Sequence, residues 1–221
     1  INRSVFGGFN EVLIERETNS HASIILDLMA EGDEGLIVLT GLGFMYKRSE
    51  ITKSLEEDVL KHLDTERVRV FMRGESLAGY ICSKQVETPR GRLYDLEGIV
   101  FHPKHQGRHL GRRSLVSELK TTGAKLIGLQ TQRGDMKSLA EAVSYSDPYL
   151  TYELASYIGT DNPQYVTTGD GQLIVKQPGR YKGKPLYNDM IQFIKNEYQI
   201  PGVDTEAGDA LVLVNRVKEN I

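Results

Sequence analysis

Between residues 66 and 101 apolar and polar side chains alternate, and this period of two constrains the fold more than any other feature of the sequence. Short turn sequences that contain glycine or proline interrupt the alternation at residues 74–76 and 88–91. Alternation of this kind is typical of strands, and turns this short connect antiparallel neighbours. The sequence therefore predicts a three-stranded antiparallel meander. It ends before Pro103, because proline lacks the N–H that a β-ladder requires.

The chain after the meander predicts a parallel strand pair. A helical pattern begins near Leu110 and stops at Gly123, and residues 125–131 then have the composition of a strand. Strand, helix and strand at this spacing imply two parallel strands joined by a right-handed crossover. A further helix is expected around Met136–Tyr145.

The expected fold class is mixed α/β, with a mostly antiparallel central sheet flanked by helices and an extended C-terminal region. An additional strand is predicted at residues 11–16, and an apolar stripe predicts a helix over residues 49–63. The last third predicts a hairpin about residues 169–171, a helix near residues 189–198 and a final strand over residues 210–217.

No long linker divides the 221 residues, so we expect one domain overall. Residues 1–145 are expected to form its core. Residues 146–221 are expected to supply strands and a helix that complete the sheet, or to form a lid or a dimer surface, which leaves a homodimer open.

Charge and cysteine content argue against several classes of protein. Lys and Arg number 27 against 30 Asp and Glu, and a net charge of −3 is not typical of a protein that coats nucleic acid. The single cysteine, Cys82, cannot form an intramolecular disulfide or a zinc cluster, and the histidines lack ligand spacing, so no metal is expected. No apolar run approaches the roughly 20 residues that span a bilayer. We therefore expect a cytoplasmic protein without a membrane segment.

A basic stretch without acidic residues lies between Glu97 and Glu118. Its loop, residues 106–111, falls between the end of a strand and the start of a helix. Backbone N–H groups there are not used by the helix, and they lie at the positive end of its dipole. Gly107 and Gly111 allow a phosphate to approach the main chain. The pattern favours a diphosphate site, although a cluster of surface arginines on a tight loop remains open.

The sequence HPKHQGRHLG, residues 102–111, resembles the acyl-CoA pyrophosphate loop of the GNAT superfamily of N-acetyltransferases. That pattern is Gln or Arg, two residues, Gly, one residue, and Gly or Ala, after a strand that often ends in Val-x-Pro. Gln106 takes the first position, Gly111 takes the last, and His109 stands where the first glycine is usual. A residue with a side chain still offers its N–H at a negative φ, but the loop would fail if the position needed a left-handed conformation.

This resemblance covers roughly residues 66–145 and implies which residues hold acetyl-CoA. The N–H of Val100 or Phe101 would support the oxyanion of the reaction, and the loop amides would hold the diphosphate. The complete set implied for acetyl-CoA is Val100, Phe101, Gln106, Gly107, Arg108, His109, Leu110, Gly111 and Arg112.

The resemblance also implies catalytic residues. Glu97 resembles the carboxylate that serves many members as a base, although it could instead pair with a nearby arginine. Tyr145 falls where a general acid is often found beside the CoA sulfur, with Tyr149 and Tyr152 as alternatives.

The implied function is transfer of an acetyl group from acetyl-CoA to a primary amine by direct attack, with an acceptor that the sequence does not identify. Phe44 and Tyr46, in the apolar loop Thr40–Tyr46, are candidates for contact with this acceptor. One alternative is a non-catalytic CoA-binding or partner-binding domain with the same fold. A weaker one is a nucleic-acid surface formed by residues 104–113 and 176–184.

Overall fold

The structure is a computed structural model that describes residues 2–6, 9–15, 36–39, 44–47, 65–74, 76–101, 105–106, 108–181 and 199–221. The helices predicted over residues 49–63 and 189–198 lie outside these residues. The described chain divides into two compact units. The first comprises residues 1–85 and 96–117, and the second comprises residues 86–95 and 118–221.

The first unit contains a sheet in the order β1-β2-β5-β6-β7 and a separate two-stranded sheet, β3-β4. These strands are β1 (Asn2–Phe6), β2 (Phe9–Glu15), β3 (Leu36–Leu39), β4 (Phe44–Lys47), β5 (Arg67–Arg73), β6 (Ser76–Thr88) and β7 (Gly91–Phe101). The order β5-β6-β7 confirms the predicted meander. The strand predicted at residues 11–16 is present as β2, which pairs antiparallel with β5.

Both faces of β5 are covered, because Val68, Val70 and Met72 are buried and so are Arg69 and Phe71 between them. Phe71 packs against Phe101 at the end of β7, with 5.1 Å between the ring centroids. This packing stabilises the end of β7 against β5.

In the part of the second unit that the structure describes, five further strands follow the beginning of β7. These are β8 (Leu126–Thr131), β9 (Ser144–Tyr145), β10 (Gln164–Thr167), β11 (Leu173–Gln177) and β12 (Ala210–Val217). The order is β7-β8-β12-β11-β10, with β9 beside β12. Strand β7 is parallel to β8, with Leu93 opposite Leu126, which confirms the predicted parallel pair. The remaining described pairs in this unit are antiparallel.

Within the described residues this mixed α/β fold has three α-helices: α1 (Leu110–Thr122), α2 (Gly134–Val143) and α3 (Pro148–Leu154). Helix α1 begins and ends where the sequence predicts, and Gly123 follows it with a φ of 65°. In the second unit α3 packs on the sheet through Leu150 and Leu154, which share a core with Val212 and Val214. None of the helices in the described ranges is long and apolar enough to cross a membrane.

The helix predicted over Met136–Tyr145 lies two residues earlier in the chain than expected. Helix α2 ends at Val143, and Ser144 and Tyr145 form β9, which pairs with β12. Ser144 is extended, and its Oγ donates a hydrogen bond to the carbonyl oxygen of Ala140 at 2.7 Å, which stabilises the end of the helix. Pairing with a strand distant in sequence therefore overrides the local helical pattern.

Candidate functional site

The end of β7 is tightly packed against β6. Val100 and Phe101 are both buried there. A Cβ atom added to Gly79 on β6 would lie 2.4 Å from the carbonyl oxygen of Val100 and 2.6 Å from Cδ1 of Phe101. Contacts this short do not occur between real atoms, so the approach of the two strands requires glycine at this position. The main chain of Val100 and Phe101 is thereby held in place.

A side chain ties the predicted loop to this strand end. Nε2 of Gln106 donates a hydrogen bond to the carbonyl oxygen of Phe101 at 2.8 Å. The side chain of Arg108 is exposed, whereas Leu110 is buried and anchors the start of α1. Gly107 lies outside the described residues.

The first turn of α1 has the features of an anion site. The helix ladder begins where the N–H of Arg113 donates to the carbonyl of His109 at 3.0 Å. The N–H groups of Leu110, Gly111 and Arg112 precede that bond and are therefore not used within the helix. No acidic residue lies in the first turn, where the side chain of Arg112 is exposed. This helix end combines a positive dipole with unused N–H groups and can hold a phosphate.

His109 has a left-handed conformation, with a φ of 56°. The sequence analysis expects the loop to bind phosphate if φ of His109 is negative, and the structure does not have that negative φ. The strain costs about 1–2 kcal/mol for a residue with a Cβ, and His is among the residues enriched in this region. Helix α1 nevertheless begins directly after His109, so left-handed geometry is compatible with the helix start.

Glu97 pairs with a lysine rather than an arginine. Nζ of Lys84 on β6 lies 2.5 Å from Oε1 of Glu97 on β7, and both side chains are about one-third exposed, at 36% and 35%. Sequence reasoning missed Lys84. The signal that could have found it is its place on the neighbouring antiparallel strand, where cross-strand residues of opposite charge attract. The arrangement shows that the carboxylate of Glu97 can bind an ammonium group.

Cys82 lies in the same unit and is buried. Burial raises the pKa of its thiol strongly, and the negative charge of Glu97 raises it further. The thiol therefore stays protonated near neutral pH, and it is a poor nucleophile because the thiolate is the reactive form.

Tyr145 belongs to the second unit and is 60% exposed on β9. Nζ of Lys218 lies over its ring, 5.6 Å from the centroid. The alternatives, Tyr149 and Tyr152, lie on α3 and are also exposed. Glu97 and the residues of the loop belong to the first unit.

Residues 42–140 match the sequence model described as the acetyltransferase (GNAT) family. This segment is a GNAT acetyltransferase domain. It contains the meander, the loop, α1, β8 and most of α2, so the resemblance noted in the sequence is confirmed, together with the enzyme class, an acetyltransferase. Within the GNAT domain lie Glu97 and every residue predicted to hold acetyl-CoA, whereas Tyr145 falls five positions beyond its end.

Solved structures of acetyltransferases are similar to the chain at low identity. An acetyltransferase of the GNAT family from Streptococcus pneumoniae is 15% identical, over 94% of this chain and 99% of that one, with a TM-score of 0.37. A ribosomal-protein-S5-alanine acetyltransferase from Vibrio fischeri is 12% identical, over 99% and 98%, with a TM-score of 0.42. An aminoglycoside 6'-acetyltransferase type Ii is 15% identical, over 95% and 99%, with a TM-score of 0.42. No curated protein matches the sequence.

Phe44 and Tyr46 lie inside the GNAT domain but not in a loop. Both are in β4, where Phe44 pairs with Leu39 and Tyr46 with Ile37 of β3. The prediction of a loop over Thr40–Tyr46 is therefore wrong at Phe44–Tyr46, which belong to a strand, and residues 40–43 lie outside the described residues.

Proposed function

We propose that this protein transfers an acetyl group from acetyl-CoA to a primary amine by direct attack. The observation that carries the proposal is the first turn of α1, a basic and acid-free helix start whose loop is bonded through Gln106 to the end of β7. A helix start of this kind suits the diphosphate of CoA.

In this proposal the amides of His109, Leu110 and Gly111 bind the diphosphate together with Gly107 and Arg108. Gln106 holds the loop against β7. Arg112 follows Gly111 in the first turn of α1, and its guanidinium binds a further phosphate of CoA. Val100 and Phe101 face the thioester end of the substrate, with one backbone N–H directed at the carbonyl oxygen.

The reaction begins when the neutral amine of the acceptor attacks the thioester carbonyl carbon. The oxygen becomes an oxyanion, which the N–H of Val100 or Phe101 stabilises. Glu97 accepts the proton that leaves the amine, directly or through water. The C–S bond then breaks, and Tyr145 donates a proton to the CoA thiolate. An amide and free CoA result.

Two observations support the role of Glu97 as the base and the direct attack of the amine. The carboxylate of Glu97 already holds an ammonium group, that of Lys84, and an acceptor amine brings the same chemistry. The buried, protonated thiol of Cys82 is unsuited to carry the acetyl group between CoA and acceptor. Phe44 and Tyr46 are proposed to contact the acceptor.

The alternative is a CoA-binding or partner-binding domain without turnover. The ion pair that neutralises Glu97 and the left-handed His109 favour it. The two functions differ in whether Glu97 accepts a proton during turnover, because a binding domain needs no base.

Calorimetric titration with acetyl-CoA, and with 3′-dephospho-CoA beside it, tests the anion site. We expect Gly111→Asp to weaken binding at least tenfold, because its carboxylate would repel the diphosphate. The helix itself should tolerate it, because acidic residues are favourable in a first turn. Lys120→Gln, in the last turn of α1, makes the same change in net charge and should leave affinity unchanged. Equal binding by both variants would remove the loop from the proposal.

Turnover of a panel of primary amines separates the two functions. Glu97→Gln should lower kcat by about 100-fold, the lower end of general base contributions, and leave acetyl-CoA affinity intact. Binding of acetyl-CoA with no turnover of any amine by the wild type would favour the binding domain.

A further inference from the structure

Eight of the eleven tyrosines lie from Tyr145 onward, and three of these form a cluster on the second unit. The rings of Tyr152 and Tyr165 are stacked, 4.5 Å apart and 11° from parallel. The rings of Tyr149 and Tyr165 are 6.0 Å apart and tilted by 56°. All three are exposed, and Tyr149 is 71% exposed. We call Tyr149, Tyr152 and Tyr165 the tyrosine cluster.

The cluster stands on a rigid support. Helix α3 carries Tyr149 and Tyr152, and its Leu150, Thr151 and Leu154 are buried. Oγ1 of Thr151 donates to the carbonyl of Val214 on β12 at 3.0 Å. Because the backbone beneath the rings is fixed, a partner would lose little free energy by ordering them.

A carboxylate stands at the start of the same helix. Asp147 is the N-cap of α3, and its Oδ1 accepts from the N–H of Leu150 at 3.0 Å. The pKa of Tyr165 is raised, first by desolvation of its hydroxyl and then by electrostatic interaction with Tyr149, Tyr152 and Asp147. Asp147 therefore places a carboxylate two residues before Tyr149 on the element that carries two of the rings, and a carboxylate attracts cations.

The other acidic side chain of α3 is already satisfied. Both oxygens of Glu153 bind Arg90, at 2.8 and 2.9 Å. Asp147, the N-cap of this helix, forms no ion pair with the described residues and can attract a cation to the rings. Elsewhere on this unit the ammonium group of Lys218 lies over the ring of Tyr145, which shows that a tyrosine of this unit can hold a lysine.

We propose that the tyrosine cluster, together with the carboxylate of Asp147, binds the ammonium group of a lysine side chain presented by a partner protein. Ring faces attract cations, and the ammonium can donate to the phenol and carboxylate oxygens. Small free amines are bound in enclosed pockets, whereas exposed tyrosines on a fixed helix are typical of protein interfaces. Binding of the lysine at this site does not require acetyl-CoA.

The probe is an unstructured peptide of alternating glycine and lysine, titrated without acetyl-CoA into protein labelled with 3-fluorotyrosine. We expect the fluorine resonances of Tyr149 and Tyr165 to shift with the lysine peptide and not with the same peptide acetylated at each Nε. Equal shifts with both peptides, or shifts with neither at millimolar concentration and low salt, would overturn the proposal. Spermidine that binds as tightly as the peptide would also overturn it, in favour of a free amine.

Two variants locate the site. Tyr149→Ala and Asp147→Asn should each weaken peptide binding about two- to fivefold, the range for exposed cation–π contacts. Asparagine caps a helix as well as aspartate does, so Asp147→Asn removes the charge and keeps the cap. Tyr157→Ala, at an exposed tyrosine outside the cluster, is the matched control and should bind as the wild type does. Equal losses in all three variants would contradict the proposal. So would a dimer that Tyr149→Ala dissociates while the wild type ignores the lysine peptide.

Discussion

His109 is the residue at which this chain departs most from the phosphate loop that it resembles. A glycine would adopt its φ of 56° without strain, whereas a residue with a Cβ does so at a cost of about 1–2 kcal/mol. The conformation is therefore maintained by the loop and the helix start around it.

Replacing this side chain should stabilise the protein. We expect His109→Gly to raise the free energy of unfolding by about 0.5–1 kcal/mol, because relief of strain exceeds the entropy that glycine adds to the unfolded chain. His109→Ala retains a Cβ and should bring no gain. Urea denaturation of the two variants measures the difference. Equal stability of the glycine and alanine variants would show that the left-handed conformation is not strained.

At the scale of elements, the contact between β6 and β7 decides where the main chain of Val100 and Phe101 lies. Gly79→Ala places a methyl group against backbone atoms, which cannot yield as a flexible side chain can. We expect a loss of about 1–3 kcal/mol, as for other overpacked sites, and a higher KM for acetyl-CoA.

The matched control for this substitution is Gly169→Ala in the turn between β10 and β11. A Cβ at Gly169 meets no atom within 4 Å, and its φ is not left-handed. Thermal unfolding of both variants should separate them clearly. If Gly79→Ala melted with the wild type and Gly169→Ala did not, the strand contact would be wrongly placed.

The end of β11 is joined to the start of β12 by one buried carboxylate. Asp209 binds Nζ of Lys176 through Oδ2 at 2.5 Å and accepts from the N–H of Gly179 through Oδ1 at 3.0 Å. Desolvation by burial raises the pKa of Asp209. The hydrogen bond from Lys176, the N–H of Gly179 and the charge of Lys176 lower it by more, so that the net shift is downward.

A carboxyl group whose pKa is lowered by folding stabilises the fold above its unfolded value, near 3.9. That stability is lost as the pH falls through the still lower pKa of the folded state. We expect Asp209→Asn to cost about 1–3 kcal/mol at pH 7. The difference from the wild type should shrink in unfolding measurements below about pH 4. A difference that stayed constant with pH would mean that the charge of Asp209 does not matter.

At the scale of the molecule, the last strand of the chain is an inner strand of the second unit. Strand β12 pairs with β8 on one side and β11 on the other, and Leu211, Val212 and Val214 are fully buried. This unit therefore cannot complete its sheet until the C-terminal residues are present.

Deletion of residues 210–221 should abolish cooperative unfolding of the second unit, because it exposes two strand edges and removes the middle of a core. Deletion of residues 219–221 alone, which follow β12, should leave the unfolding midpoint within about 2 °C of the wild type. Circular dichroism during heating records both. A longer deletion with a wild-type midpoint would contradict the strand order.

The sequence by itself determined the meander, the crossover to a parallel strand, the stop of α1 at Gly123 and the basic helix start. These depend on local properties, namely the period of apolar residues, turn chemistry and the residues that begin or end helices. Tertiary structure alone decided that Lys84 meets Glu97, that Gly79 is pressed against Val100, that Tyr145 leaves its helix for β9, and that three tyrosines share one surface. Each of these depends on register and packing between segments distant in sequence, and no local pattern encodes them.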